Sequence, residues 1–175
     1  MKIAGMKAHK ARLKRIRGPQ MIREVGKAIK TASEIMEKAA QISITTGSTA
    51  AKGQHRPSAP GTPPNNDLGG LADSIESVMT GPLAAEVSAN ARYAAIQEFG
   101  GTVNNPGGQP YFIKNGEFIP VSKSSPHAGR LPKTKPHQIT LPERPYMRPA
   151  AQKTRPKAQK LVAAAVKKVA NGGTL

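Results

Sequence analysis

The chain has 175 residues, with 27 Lys+Arg against 10 Asp+Glu, a formal net charge of +17, and no cysteine. This length bounds it to one domain, or one domain with extensions, and the missing cysteine excludes a disulfide framework and a thiolate metal site. Aromatic residues make up 3% and Trp is absent, so the core is expected to be small and aliphatic, with much of the chain in loops given 16 prolines and 17 glycines.

Residues 1–17 carry seven Lys/Arg and no acid on a thin apolar face, and read as a basic arm. Gly18-Pro19 opens the first strong element. Pro19 suits a first helical position, where no N–H is needed. Ile22, Val25, Ile29, Ala32, Met36 and Ala39 recur in steps of three and four, flanked by Met21, Ala28, Ile35 and Ile42. That stripe predicts a long amphipathic helix, in which Gly26 costs helicity and permits close packing. From Thr45 to Asn66 the chain reads as a linker. Asp67 is expected to cap a short turn through Leu68–Ser74. Ile75–Thr80 and Leu83–Ala89 read as strands joined by Gly81-Pro82. Ala91–Phe99 reads as a short helix stopped by Gly100-Gly101. Two apolar runs then flank Asn115-Gly116, the pair a two-residue type I′ hairpin turn favours. A basic, proline-rich loop follows from Ser124 to His137, with a short strand at Ile139–Leu141. The last helix has Pro149 in its first turn and Pro156 inside, where it kinks or restarts. Its stripe is Leu161, Val162, Ala165, Val166 and Val169, and Asn171-Gly172-Gly173 ends it.

The expected fold is α+β: a small antiparallel sheet with a long N-terminal helix and a C-terminal helix packed on it. The expected organisation is a basic arm at 1–18 and a single domain at 19–170, with Pro/Gly-rich loops at 45–66 and 101–143, then a tail at 171–175.

No enzyme site is expected. His9, His55, His127 and His137 do not stand at metal-ligand spacing. Glu117 and Glu143 are too sparse for a metal-dependent nuclease. No serine lies in a nucleophile elbow, and the glycine-rich stretch from Gly100 lacks the ending of a phosphate loop. No metal and no cofactor is expected, and no apolar run is long enough to span a membrane. The charge is placed at the ends: eight Lys/Arg and no acid up to Arg23, and eight with no acid from Arg144 on. Lys7, Lys10, Arg12, Lys14, Arg15, Arg17, Lys153, Arg155 and Lys157 are the candidate contacts to DNA or to an acidic protein partner. Aromatics for stacking single-stranded bases are nearly absent.

Three stretches, SAPGTPPNNDLGGLADSI, ARYAAIQEFGG and LPERPYMRPA, occur in this order before a basic helix. Together they resemble the neck and tail-completion proteins of long-tailed bacteriophages. Leu71, Ser74 and Ile75 match the first family motif. Tyr93, Ala94, Glu98, Phe99 and Gly100 match the second, and Arg144, Pro145, Arg148, Pro149 and Ala150 the third. The resemblance spans roughly Ala28 to Val169. Asp67-Leu68-Gly69-Gly70 stands where the family commonly has Asp-Thr-Gly-Arg, and the 101–143 segment is longer than in compact members. The resemblance implies a virion structural protein of the neck or tail, assembled in the host cytoplasm. It implies a closed homo-oligomeric ring of six or twelve copies around the DNA channel. The implied partners are the head–tail connector, the tail tube or terminator proteins, and packaged double-stranded DNA. On this reading Gly47–Asn66 and Gly101–Glu143 are semi-rigid reaching segments that gain order in the assembly. The alternative is a basic nucleic-acid-binding protein of ribosomal or nucleoid type.

Overall fold

A computed structural model describes residues 5–46 and 56–173. The elements run α1 (Met6–Ile16), α2 (Pro19–Thr45), α3 (Gly70–Asp73), β1 (Ile75–Gly81), β2 (Ala84–Ala89), α4 (Ala94–Phe99), β3 (Gly101–Asn105), β4 (Tyr111–Lys114), β5 (Glu117–Pro120), β6 (His137–Leu141) and α5 (Met147–Ala170), with a 3-10 turn at Ala128–Arg130. The class is α+β, with a long N-terminal and a C-terminal helix. The strands form three separate two-stranded antiparallel ladders, β1-β2, β3-β6 and β4-β5. The chain divides into two compact units, the first ending at Phe99 and resuming at Glu143, the second being Gly100–Pro142.

The first unit is built on the pairing of α2 with α5. Gly18 adopts an extended backbone, and Pro19 follows as the first helical residue. Val25 and Ala28 meet Ala165 in one core cluster, while Ala40 and Ile44 meet Tyr146 and Ala150 in another. The early part of each helix thus meets the late part of the other, so the pair is antiparallel. Alanines at the contact let the two backbones approach closely. Leu71, Ala72, Ile75 and Ala94 complete the second cluster, bringing α3, β1 and α4 onto the helix pair.

The buried line on α2 keeps part of the expected stripe, with Val25 and Ala28 buried and Met21, Ile29 and Ala39 packed against the core, and departs from it elsewhere. Ile22 and Ile42 are 44% and 56% exposed, whereas Ala40 and Ile44 are 0% and 1% exposed. Buried Ala28, Ala40 and Ile44 lie on one line of four-residue steps, on which Ala32 and Met36 are half-buried. Such a ridge is inclined to the helix axis, and a stripe of alternating threes and fours drifts away from it over a helix this long.

Other differences have local causes. The segment read as an arm forms α1, which packs against α5 and α2. The guanidinium of Arg15 donates to the carbonyl of Ala170 at 3.3 Å. A cation there complements the negative end of the α5 dipole. Asp67 caps nothing: α3 follows Gly69, whose φ of 89° turns the chain without a side-chain cap. Helix α5 runs unbroken through Pro156.

The second unit is more regular than its composition predicts. In the β4-β5 hairpin Lys114 pairs with Glu117 across a turn in which Asn115 and Gly116 have φ of 54° and 82°. Both central residues lie in the left-handed region that a type I′ turn requires. Strand β3 pairs with β6 from Gly101↔Leu141 to Asn105↔His137. Thr134 N–H donates to Gln109 O at 3.0 Å, Gly108 N–H to Thr134 O at 2.8 Å and Tyr111 N–H to Pro132 O at 3.0 Å. The 101–143 segment is therefore a hydrogen-bonded β unit, not an extended loop. Of the two expected reaching segments, residues 47–55 of the first lie outside the described residues.

Gly26 has a packing role. A Cβ there would lie 2.6 Å from the carbonyl oxygen of Pro82, in the β1-β2 turn. Alanine is worth about 1 kcal/mol over glycine inside a helix, but overpacking against backbone costs about 1–3 kcal/mol. Gly26→Ala is expected to destabilise the protein in chemical denaturation. Gly129→Ala, with open space around its Cβ, is expected to stay within about 0.5 kcal/mol of the parent. A Gly26→Ala protein more stable than the parent would show that β1-β2 does not press on α2.

Candidate functional site

Helix α5 begins among buried residues, so its first N–H groups need acceptors from elsewhere. Its own N-cap residue, Tyr146, makes no side-chain cap. The acceptor is the carboxylate of Glu98, on the last turn of α4. One oxygen takes the N–H of Tyr146 at 2.8 Å and of Met147 at 2.9 Å. The other takes the N–H of Arg148 at 2.9 Å and its Nε at 3.1 Å. Pro149, the next residue, has no N–H to satisfy. Every orphan donor of this helix start is thereby accounted for.

Arg148 closes the arrangement from outside. Its Nη2 donates to the Glu98 carbonyl at 3.1 Å and to the Glu143 carboxylate at 2.8 Å. Its guanidinium lies 5.3 Å from the centroid of the Phe99 ring, at cation–π distance. Arg144 ties in the remaining stretch: its N–H donates to Gln97 O at 2.7 Å and its Nε to Ser58 O at 3.1 Å. Gly61 N–H donates to Glu143 O at 2.8 Å. The three motif stretches, far apart in sequence, are thus joined around one carboxylate.

The charge states follow. Burial alone would push Glu98 up, but three backbone N–H groups and Arg148 hold it below its ordinary 4.5. Tyr146 is pushed up to about 12 by burial, by the Glu98 charge and by Tyr93. Glu98 is 4% exposed, and both its oxygens are occupied by donors. The arrangement holds a helix start in place and leaves this carboxylate no position for a substrate or a proton-transfer role.

The other motif residues divide into core and surface. Leu71, Ile75 and Ala94 are buried in the Tyr146 cluster with Ala150. Ser74 Oγ donates to Leu71 O at 2.7 Å, closing the α3 turn. Gly100 has φ of 66°, the left-handed conformation that ends α4. Pro145 is half-buried beside Tyr146. Tyr93 is 47% exposed, and with Pro64 to Leu71 and Gln97 it lines a depression of about 350 Å³. Tyr146 itself was not singled out by sequence. Among the described residues it is the largest fully buried side chain, and its one signal was an aromatic ring inside RPYMRPA in a chain nearly without aromatics.

The basic candidates lie on two helices that contain no Asp or Glu, α1 and α5, and these pack together. Lys7, Lys10, Arg12, Lys14 and Arg17 on or beside α1 are exposed, as are Lys153, Arg155 and Lys157 on α5. Arg15 is half-buried at the end of α5. Among the described residues no group of three or more His, Cys, Asp or Glu side chains comes together for a metal. No described helix is long and apolar enough to cross a membrane. Compared with known proteins, the chain matches no family model, no curated protein and no solved structure.

The Glu98 cap predicts a pH dependence with a definite sign. A carboxylate held below its unfolded value contributes stability that is full above about 4.5 and is lost as pH falls through the folded value. In Glu98→Gln an amide NH₂ faces two of the buried donors, and each unsatisfied donor costs roughly 1–3 kcal/mol. Denaturant titrations are expected to show a loss of roughly 2 kcal/mol or more at pH 7. The variant's stability should also fall less steeply than the parent's in acid. Parallel acid limbs for the two proteins would show that Glu98 does not act as a charged cap.

Proposed function

We propose that this chain is a structural protein of a tailed-phage virion that completes the tail at the head–tail joint as a subunit of a ring around the DNA channel. The observation that carries the reading is the convergence of the three motif stretches on Glu98. The residues that carry the resemblance lie together, as residues kept for a shared fold would. Here Glu98, Phe99, Arg144 and Arg148 touch one another or one another's neighbours, while Leu71, Ile75 and Ala94 pack beneath them. The site is built from hydrogen bonds already made within the chain, which suits a scaffold. Its proposed partners are further copies of itself, six or twelve to a ring, the connector, and the tail tube or terminator proteins.

The acid-free surface of α1 and α5 supports a place beside packaged double-stranded DNA. Two basic helices lying together concentrate positive potential on one side of the subunit. The same surface is what favours the alternative, a nucleic-acid-binding protein of ribosomal or nucleoid type.

Two experiments separate these readings. Imaging of particles carrying a labelled copy is expected to place the label at the neck, and loss of the chain is expected to leave filled heads and tails unjoined. A label found away from the neck and tail overturns the proposal. Duplex-binding titrations across salt concentrations test the surface. Replacing Lys7, Lys10 and Lys14 with Gln is expected to flatten the log–log slope by about one unit for each phosphate that is no longer neutralised. An unchanged slope would assign α1 to protein contacts instead.

A further inference from the structure

The second unit has almost nothing to fold around. Its buried residues are Pro110 and Ala128. Units of about 40 residues rarely hold a sufficient core of their own, and a lone two-stranded hairpin is marginal in water. Yet Ile113 is 67% exposed and Phe118, directly across the ladder, 51%. Pairing across an antiparallel ladder puts both on one face, with Tyr111 stacked diagonally on Phe118 at 4.8 Å between ring centroids. This unit is also basic, with Lys114, Lys123, Arg130, Lys133 and Lys135 against Glu117 alone.

The β1-β2 hairpin shows the opposite sign. Residues 57–91 hold Asp67, Asp73, Glu76 and Glu86 and no Lys or Arg, the one long acidic stretch in a chain of net charge +17. Ile75, Ser77 and Met79 alternate with Glu76 and Val78 along β1, so the two sets point to opposite faces. Ile75 lies in the core. On the other face Val78 is 51% exposed, with Glu86 directly opposite and Glu76 two residues along.

We infer that the chain associates with itself head to tail, the Ile113–Phe118 face of one copy docking on the Glu76–Val78–Glu86 face of the next. Each face has an exposed apolar centre, and the segments that carry them are opposite in charge, five Lys/Arg against Glu117 in Gly100–Pro142 and four acids with no Lys or Arg in 57–91. Both conditions favour this pairing over either face meeting its own copy, where like charges would be brought together. Two different faces on one subunit make a heterologous contact, which closes into a ring when the rotation per copy allows. The inference rests on the ring reading above and names the surfaces that reading requires.

A mixing experiment on the full chain tests it. Ile113→Asp disables the Ile113–Phe118 face, and the double variant Val78→Lys/Glu86→Lys disables the acidic one. All three positions are exposed, and circular dichroism should confirm that each variant stays folded. Sedimentation velocity is expected to show growing oligomers for the parent and monomers for each variant alone, with self-association weakened about tenfold or more. A mixture of the two variants retains one intact Ile113–Phe118 face and one intact acidic face. It should form a one-to-one heterodimer and nothing larger. A variant that still oligomerises alone overturns the inference, as does a mixture that stays monomeric. A parent that stays monomeric to millimolar concentration also overturns it, while the neck assignment would still be decided separately by particle imaging.

Discussion

A helix that starts in the interior of a protein brings donors with no partner, and in α5 they converge on one carboxylate from a different part of the chain. Glu98 takes three backbone N–H groups in succession, and the rest of the first unit depends on where this places α5. With the helix start held there, Tyr146 is lodged among Ala40, Ile44, Leu71 and Ile75, and α5 runs back along α2 to meet Val25 and Ala28 with Ala165. The cap is thus a long-range contact acting at the scale of a local one. A carboxylate with its charge-assisted hydrogen bonds filled is among the stronger polar contacts available. Arg148 keeps the pair neutral without burying a second full charge, since its side chain remains 49% exposed.

What was legible in the sequence was what local chemistry decides. Asn115-Gly116 specifies its turn because few other pairs place two consecutive residues at positive φ. Pro19 and Gly100 mark helix ends by the same backbone logic. Arg148 and Glu98 were legible only as residues of two motifs in the family resemblance. Tyr146 was not, since its burial depends on α2, α3 and β1 arriving together. The contact line on α2 was only partly legible, for a related reason. A helix carries several apolar ridges, and the crossing partner selects one. The 101–143 segment was hidden by its composition. Proline and glycine signal irregular backbone, but here Gly107, with φ of 72°, lets the chain pass where a Cβ would lie 2.5 Å from Thr134 O. The glycine serves close backbone approach within a hydrogen-bonded unit, not looseness.

The charge distribution is a second constraint, laid over the first. Of ten acids, Glu24 and Glu98 are buried, and Asp67, Asp73, Glu76 and Glu86 fall in the stretch around α3 and the β1-β2 hairpin. Helices α1 and α5 have none. A chain that needed only solubility would intersperse the two signs. Segregation instead gives the chain separate surfaces of opposite sign.

Segregation has an energetic consequence inside the fold. Packing α1 on α5 brings like charges together, and at physiological salt they are screened from one another only beyond about 8 Å. The apolar attachment of α1 is thin, with Met6, Leu13 and Ile16 each more than a third exposed. What opposes the repulsion is the guanidinium of Arg15 against the carbonyl end of α5, an interaction worth about 0.3–1 kcal/mol at a helix terminus. Of the elements in the first unit, α1 therefore has the most to gain from an anionic surface laid across it. Such a counter-charge would relieve the repulsion in its own packing.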